Sequence, residues 1–102
     1  MLKPIFEYKQ VDNGYLIDIK IRTVEKDKDY PEGIKYSLVV IDRKTSKRIL
    51  GFDNHERKGH HMHKLNRELP YNFVDEWKLI EDFYNEYENI KRRLLKWKLR
   101  KL

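Results

Sequence analysis

The stretch Tyr15-Leu16-Ile17-Asp18-Ile19-Lys20-Ile21-Arg22-Thr23 decides how the chain is read. Tyr15, Ile17, Ile19 and Ile21 alternate with Leu16, Asp18, Lys20 and Arg22. Side chains of an extended strand point to opposite faces in turn, so this period of two marks a strand with one face buried. Asp12-Asn13-Gly14 stands just before it, and Asn-Gly is a strong hairpin signal. Ile5 to Gln10, bounded by Pro4, is then the partner strand. On the other side, Glu25 to Gly33 is polar and carries Pro31 and Gly33, as a loop does. Ile34 to Asp42 is apolar on both faces after Lys35, which places it centrally in a sheet. Arg43 to Lys47 reads as a turn, and Arg48 to Asp53 returns as a fourth strand. Short connections make these four an antiparallel meander.

From about Val74 to Lys98 the period changes. Ile80, Phe83, Tyr87, Ile90, Leu94 and Trp97 recur at spacings of three and four, the stripe of an amphipathic helix. Asn72 or Asp75 is the expected N-cap. The expected fold is therefore α+β: a four-stranded antiparallel meander packed by one long C-terminal helix, with a histidine-rich loop between them. Such a helix is about 37 Å long and outruns a four-stranded sheet. Leu94, Leu95 and Trp97 are then expected to be exposed, as a docking surface for another protein or for a second copy in a homodimer.

The 102 residues suit a single domain, 1–102, with a basic helical tail from about 91 to 102. Charged residues make up 39% of the chain and the net charge is +6, so the core is modest and the surface densely charged. Glu76 to Glu88 is acidic. Lys91 to Lys101 holds seven basic residues and no acidic one, which suits a polyanion, an acidic partner, or the negative end of the helix dipole. There is no cysteine, hence neither a disulfide nor a thiolate metal site. No secretory signal is read at Met1 and no stretch is long and apolar enough for a bilayer, so a cytoplasmic protein without membrane contact is expected.

All four histidines lie between His55 and His63, in the run Gly51-Phe52-Asp53-Asn54-His55-Glu56-Arg57-Lys58-Gly59-His60-His61-Met62-His63. One reading is acid–base chemistry on RNA without a metal or other cofactor. Histidine titrates near neutrality and serves as base or acid. If residues 60 to 63 are extended, His61 and His63 point to one side and divide those roles. Arg57, Lys58 and Arg67 then supply charge at the phosphate. Asp53 or Asn54 orients an imidazole or the ribose, Tyr71 stacks on a base, and His60 joins the candidates for holding RNA. A second reading is metal binding through His-x-His, completed by Asp53 or His55. Arg57, Lys58, Lys64 and Arg67 crowd the segment with positive charge, which disfavours a cation. A third is structural: histidine and asparagine bonding loop backbone, with an Asx turn at Asp53-Asn54. The pattern of a phosphate-binding NTP loop is absent.

These residues carry a resemblance. Gly51-Phe52-Asp53-Asn54, Lys58-Gly59, His61-Met62-His63, Glu68, Tyr71, Phe73 and Leu79 to Phe83 resemble the TumE-type toxins of prokaryotic toxin–antitoxin pairs, over about residues 34 to 90. The resemblance implies a cytoplasmic toxin, neutralised by a small helix-turn-helix antitoxin encoded beside it, with ribonuclease-like activity. Asp53, Asn54, Lys58, His61 and His63 match the family motif position by position. Arg57 departs from it where a small residue is common, and His60 where a polar or acidic one is. The second departure leaves open which of the adjacent histidines faces the site. The function expected is that of a metal-independent endoribonuclease toxin. The alternatives are a basic RNA- or partner-binding module without catalysis, and a metal-dependent phosphodiesterase.

Overall fold

The structure is a computed structural model and describes residues 4–55 and 59–102. Its strands follow chain order in one antiparallel sheet: β1 (Pro4–Asp12), β2 (Tyr15–Thr23), β3 (Ile34–Asp42), β4 (Lys47–Asp53), β5 (His61–Lys64) and β6 (Arg67–Pro70). Helix α1 (Glu76–Arg100) closes the chain. The turn between β1 and β2 is formed by Asn13 and Gly14, at φ 49° and 87°. Both central residues are thus left-handed, the geometry that matches strand twist in a two-residue hairpin.

Two expectations need correction. The sheet has six strands, not four, and the segment expected as a histidine-rich loop ends in the hairpin β5–β6. Each of these strands has only four residues. Their turn holds Leu65 at φ 56°, where glycine or asparagine would be usual. Register, not composition, stabilises them: β5 pairs with β4 through Leu50↔Lys64, Gly51↔His63, Phe52↔Met62 and Asp53↔His61.

The helix covers one face of the sheet. Ile17, Ile19 and Ile21 of β2, Tyr36, Leu38 and Val40 of β3, and Leu50 and Phe52 of β4 are buried beneath it. They meet Leu79, Phe83, Tyr87 and Ile90. Each such side chain contributes roughly 1.5–3 kcal/mol by leaving water. Leu79 rather than Ile80 begins the buried stripe. Asp75 caps the helix, its carboxylate accepting from the Lys78 amide at 2.8 Å. Polar ties flank the apolar seam: Tyr87 donates to Asp12, Lys64 pairs with Glu86 at 2.8 Å, and Tyr71 donates to Asp82 at 2.7 Å.

The last turns of α1 run beyond the sheet, as its length requires, and the molecule measures 52 × 24 × 22 Å. Leu95 and Trp97 are exposed together with Leu99. Leu94, expected with them, instead packs partly against the core. Among the described residues no helix is long and apolar enough to cross a membrane.

Candidate active site on the open face of the sheet

The residues that alternate with the core point away from the helix. Strand pairing puts Asp53 opposite His61, Gly51 opposite His63, and His63 opposite Glu68. Partners in adjacent antiparallel strands have Cβ atoms about 4.5–5.5 Å apart, close enough for polar tips to meet. They do meet. The Nε2 of His61 lies 2.8 Å from Asp53 Oδ1, and the Nε2 of His63 lies 3.9 Å from Asp53 Oδ2. Glu68 approaches His61 Nε2 at 4.0 Å. The two imidazoles stand edge to face, 5.0 Å apart at 83°. His61 and His63 thus share one side because the segment is extended, and Met62 between them joins Phe52 on the other.

The cluster opens into a shallow cavity of about 300 Å³, lined by Lys35, Ser37, Asp53, His55, His61 and His63 together with Tyr36. Asp53 terminates β4 with an Asx turn, its Oδ1 accepting from the His55 amide at 3.2 Å. His61 is buried and held at both nitrogens, because Nδ1 lies 3.1 Å from the Gly59 carbonyl oxygen. Both neighbours are acceptors, so the ring cannot turn without losing one. His63 is freer. Burial and the nearby Arg48 guanidinium push its pKa below the ordinary histidine value, against the pull of Glu68 and Asp53. Arg48 lies across Gly51, where a Cβ would stand 3.1 Å from the arginine Cδ. The glycine makes room for that cation beside His63.

His60 belongs elsewhere. Its ring stacks on Phe73, 4.7 Å away at 4°, and beside Tyr36. Burial pushes the Tyr36 hydroxyl far up, so it keeps its proton. It can therefore donate to His60 Nδ1, 2.9 Å away, while His60 Nε2 donates to Glu32 at 3.0 Å. Of the adjacent histidines, His61 faces the cluster and His60 anchors the Glu32 loop. Asn54 is buried and engaged by β3: it accepts from the Tyr36 amide at 2.9 Å and donates to the Ile34 carbonyl at 2.7 Å.

Tyr71 sits on the helix side with its ring against the edge of Phe52, 4.9 Å apart, and away from the cluster. Arg67 is exposed on β6 opposite Lys64, so strand alternation puts it on the side of Met62 and Lys64 rather than that of His63. Arg57 and Lys58 lie outside the described residues. Lys35, Ser37, Arg48 and Glu68 border the site and were not among the expected site residues. Strand alternation places Lys35 and Ser37 opposite the buried Tyr36 and Leu38, but only the register brings that face to Asp53.

A family model described as Toxin TumE matches residues 5–94 of the chain. The chain belongs to the TumE toxin family. The match is longer than the 34–90 of the sequence resemblance: it takes in the β1–β2 hairpin that the resemblance left out, and reaches Leu94 of the helix. The TumE pattern therefore covers the whole sheet and most of α1. Among curated proteins and among solved structures no significant match to the chain was found.

Proposed function

We propose that this toxin cuts RNA, with the chemistry centred on Asp53, His61 and His63. The observation that carries the reading is the convergence of these three side chains in an open cavity on the bare face of the sheet. The cations Lys35 and Arg48 border it. Phosphodiester cleavage by the 2′-hydroxyl needs a group to take its proton, a proton for the leaving 5′-oxygen, and positive charge at the phosphate. His63, kept neutral near pH 7 by burial and Arg48, is suited to accept the proton. Lys35 and Arg48 are suited to the phosphate, and Arg57 and Lys58, which lie outside the described residues, are further candidates from the sequence.

The even division of base and acid between the histidines meets an obstacle. His61 is engaged at both nitrogens by Asp53 and Gly59, so its role in this reading is to hold a geometry rather than to deliver a proton freely. Incubating purified protein with total tRNA and mRNA, with and without EDTA, tests the reading. Wild type is expected to cut, and His61→Ala/His63→Ala is expected not to. Equal cutting by both would remove the cluster from the chemistry, and no cutting by wild type would remove the ribonuclease reading. Toxin membership also argues for an antitoxin partner. Leu95 and Trp97 at the exposed basic end of α1 are proposed to receive a small helix-turn-helix antitoxin, with Leu94 beside them. Truncating the last ten residues should then abolish the complex in size measurements.

A further inference from the structure

We infer that Asp53, His61 and His63 form a binding site for one divalent first-row transition ion, such as zinc or manganese. The donor set is two imidazole nitrogens and one carboxylate oxygen, and all three lie within 4.8 Å of one another. Two donors on one ion with bonds of about 2.1 Å stand at most about 4.2 Å apart. The two contacts to Asp53, at 2.8 and 3.9 Å, already meet that limit, and closing the widest gap takes less than an ångström of side-chain movement. Two histidines and one carboxylate on one side, with the rest of the coordination sphere open, is a donor set for first-row transition ions. Magnesium and calcium prefer oxygen ligands throughout, which this cluster does not offer.

A second observation points the same way. A histidine that ligates a metal through one nitrogen almost always donates its other N–H to a carbonyl or carboxylate, which sets the tautomer. His61 has this partner in the Gly59 carbonyl, 3.1 Å from Nδ1. That bond leaves Nε2 as the ligand nitrogen, and Nε2 is the atom aimed at Asp53. The other Asp53 oxygen, Oδ2, faces His63. Glu68, 4.0 Å from His61 Nε2, is placed to add a fourth donor atom or to steady a bound water.

The register of the strands turns two of the neighbouring cations away from the cluster. Lys64 turns to the helix side and is paired with Glu86 at 2.8 Å. Arg67 stands opposite Lys64 and not opposite His63. The described cations near the cluster are Lys35, which lines the cavity with Asp53, and Arg48, whose charge acts on His63 against that of Glu68. A bound ion would hold His61 in its metal-ligating tautomer and leave positions open toward the cavity, where a phosphate oxygen or a water would bind.

The inference rests on the same cluster as the ribonuclease reading and changes one role in it: a His63 that ligates the ion is no longer the free base, and water on the ion would take the proton in its place. Binding itself is measured without RNA. Untagged full-length protein, stripped with a chelator and dialysed, is titrated with zinc chloride and with manganese chloride by calorimetry. Cobalt is added as a spectroscopic probe of coordination. One ion per chain is expected with at least one of these metals. Asp53→Asn and His63→Gln are each expected to weaken binding at least tenfold and to alter the cobalt spectrum. His60→Ala, which changes the neighbouring histidine, is expected to bind as wild type does. Circular dichroism confirms that each variant is folded. Saturation absent at millimolar metal overturns the inference. So does equal affinity in folded Asp53→Asn and His63→Gln. Metal bound at the cluster with RNA left uncut would remove the ribonuclease reading and keep the metal site. RNA cut by protein that binds none of the three ions would do the reverse.

Discussion

The two faces of the sheet are made by the same strands and follow opposite rules. On the face under α1, β2, β3 and β4 present Ile19, Ile21, Leu38, Val40, Leu50 and Phe52, all closed to water. On the other face, the same strands present Lys20, Ser37, Gly51 and Asp53, and β5 adds His61 and His63. An antiparallel sheet can leave one face in water because nothing in its hydrogen bonding requires a cover. Stability is therefore concentrated on one side and the proposed chemistry on the other, one residue apart along every strand. A change on the covered face should act on folding first, and a change on the open face on activity first.

The largest test of that division is Phe83→Ala. Phe83 is fully buried against Phe52, and its loss should cost about 3–5 kcal/mol in denaturant unfolding. A loss below about 1 kcal/mol would mean that the helix is not the cover of the core. Next comes Asp53→Asn, which keeps size and shape but removes the charge shared by His61 and His63. RNA cleavage is expected to fall roughly 100-fold or more, the scale of a lost proton-transfer or orienting group. The unfolding free energy should change much less than for Phe83→Ala. A normal rate in the folded variant would show that the open face does not carry the chemistry.

A smaller effect is expected where the faces meet. His60 is stacked on Phe73 and bonded to Tyr36, so His60→Ala should lower stability by about 1–2 kcal/mol in a thermal melt. The smallest test concerns Asp12. The Tyr87 hydroxyl, and then Lys91, hold its pKa below the ordinary carboxylate value. A depressed folded pKa adds stability that is present above the unfolded value of 3.8 and is lost as pH falls through the folded one. Tyr87→Phe should therefore narrow the stability gap between pH 7 and pH 3, and titrations of both proteins check this.

The long periods in the sequence revealed the covered face almost completely. Ile17, Ile19 and Ile21 alternate as strands do, Asn13-Gly14 fixes a hairpin, and Phe83, Tyr87 and Ile90 recur as on a helix. The candidate site was legible in kind, because His-x-His in an extended segment must put both rings on one side. Its assembly was not. Asp53 meets His61 through a register, and no local pattern encodes the register of a four-residue strand. The hairpin β5–β6 was hidden for a related reason, since its turn uses Leu65 in a conformation that leucine seldom adopts. Nor does composition distinguish His60 from His61. Only the strand's parity sends one to the stack with Phe73 and the other to Asp53.

That short hairpin has a consequence for how the protein fails. Local opening in a folded protein is easiest where few buried contacts hold an element, and β5 and β6 each contribute four residues at one end of the sheet. Met62 is the apolar anchor of β5 at the core, and it is only partly buried. Fraying from this end would carry His61 and His63 away from Asp53 while β2, β3, β4 and α1 stayed folded. On heating, amide protons of β5 should exchange well before those of β3, and the toxin should be silenced at temperatures where most of its secondary structure is still intact.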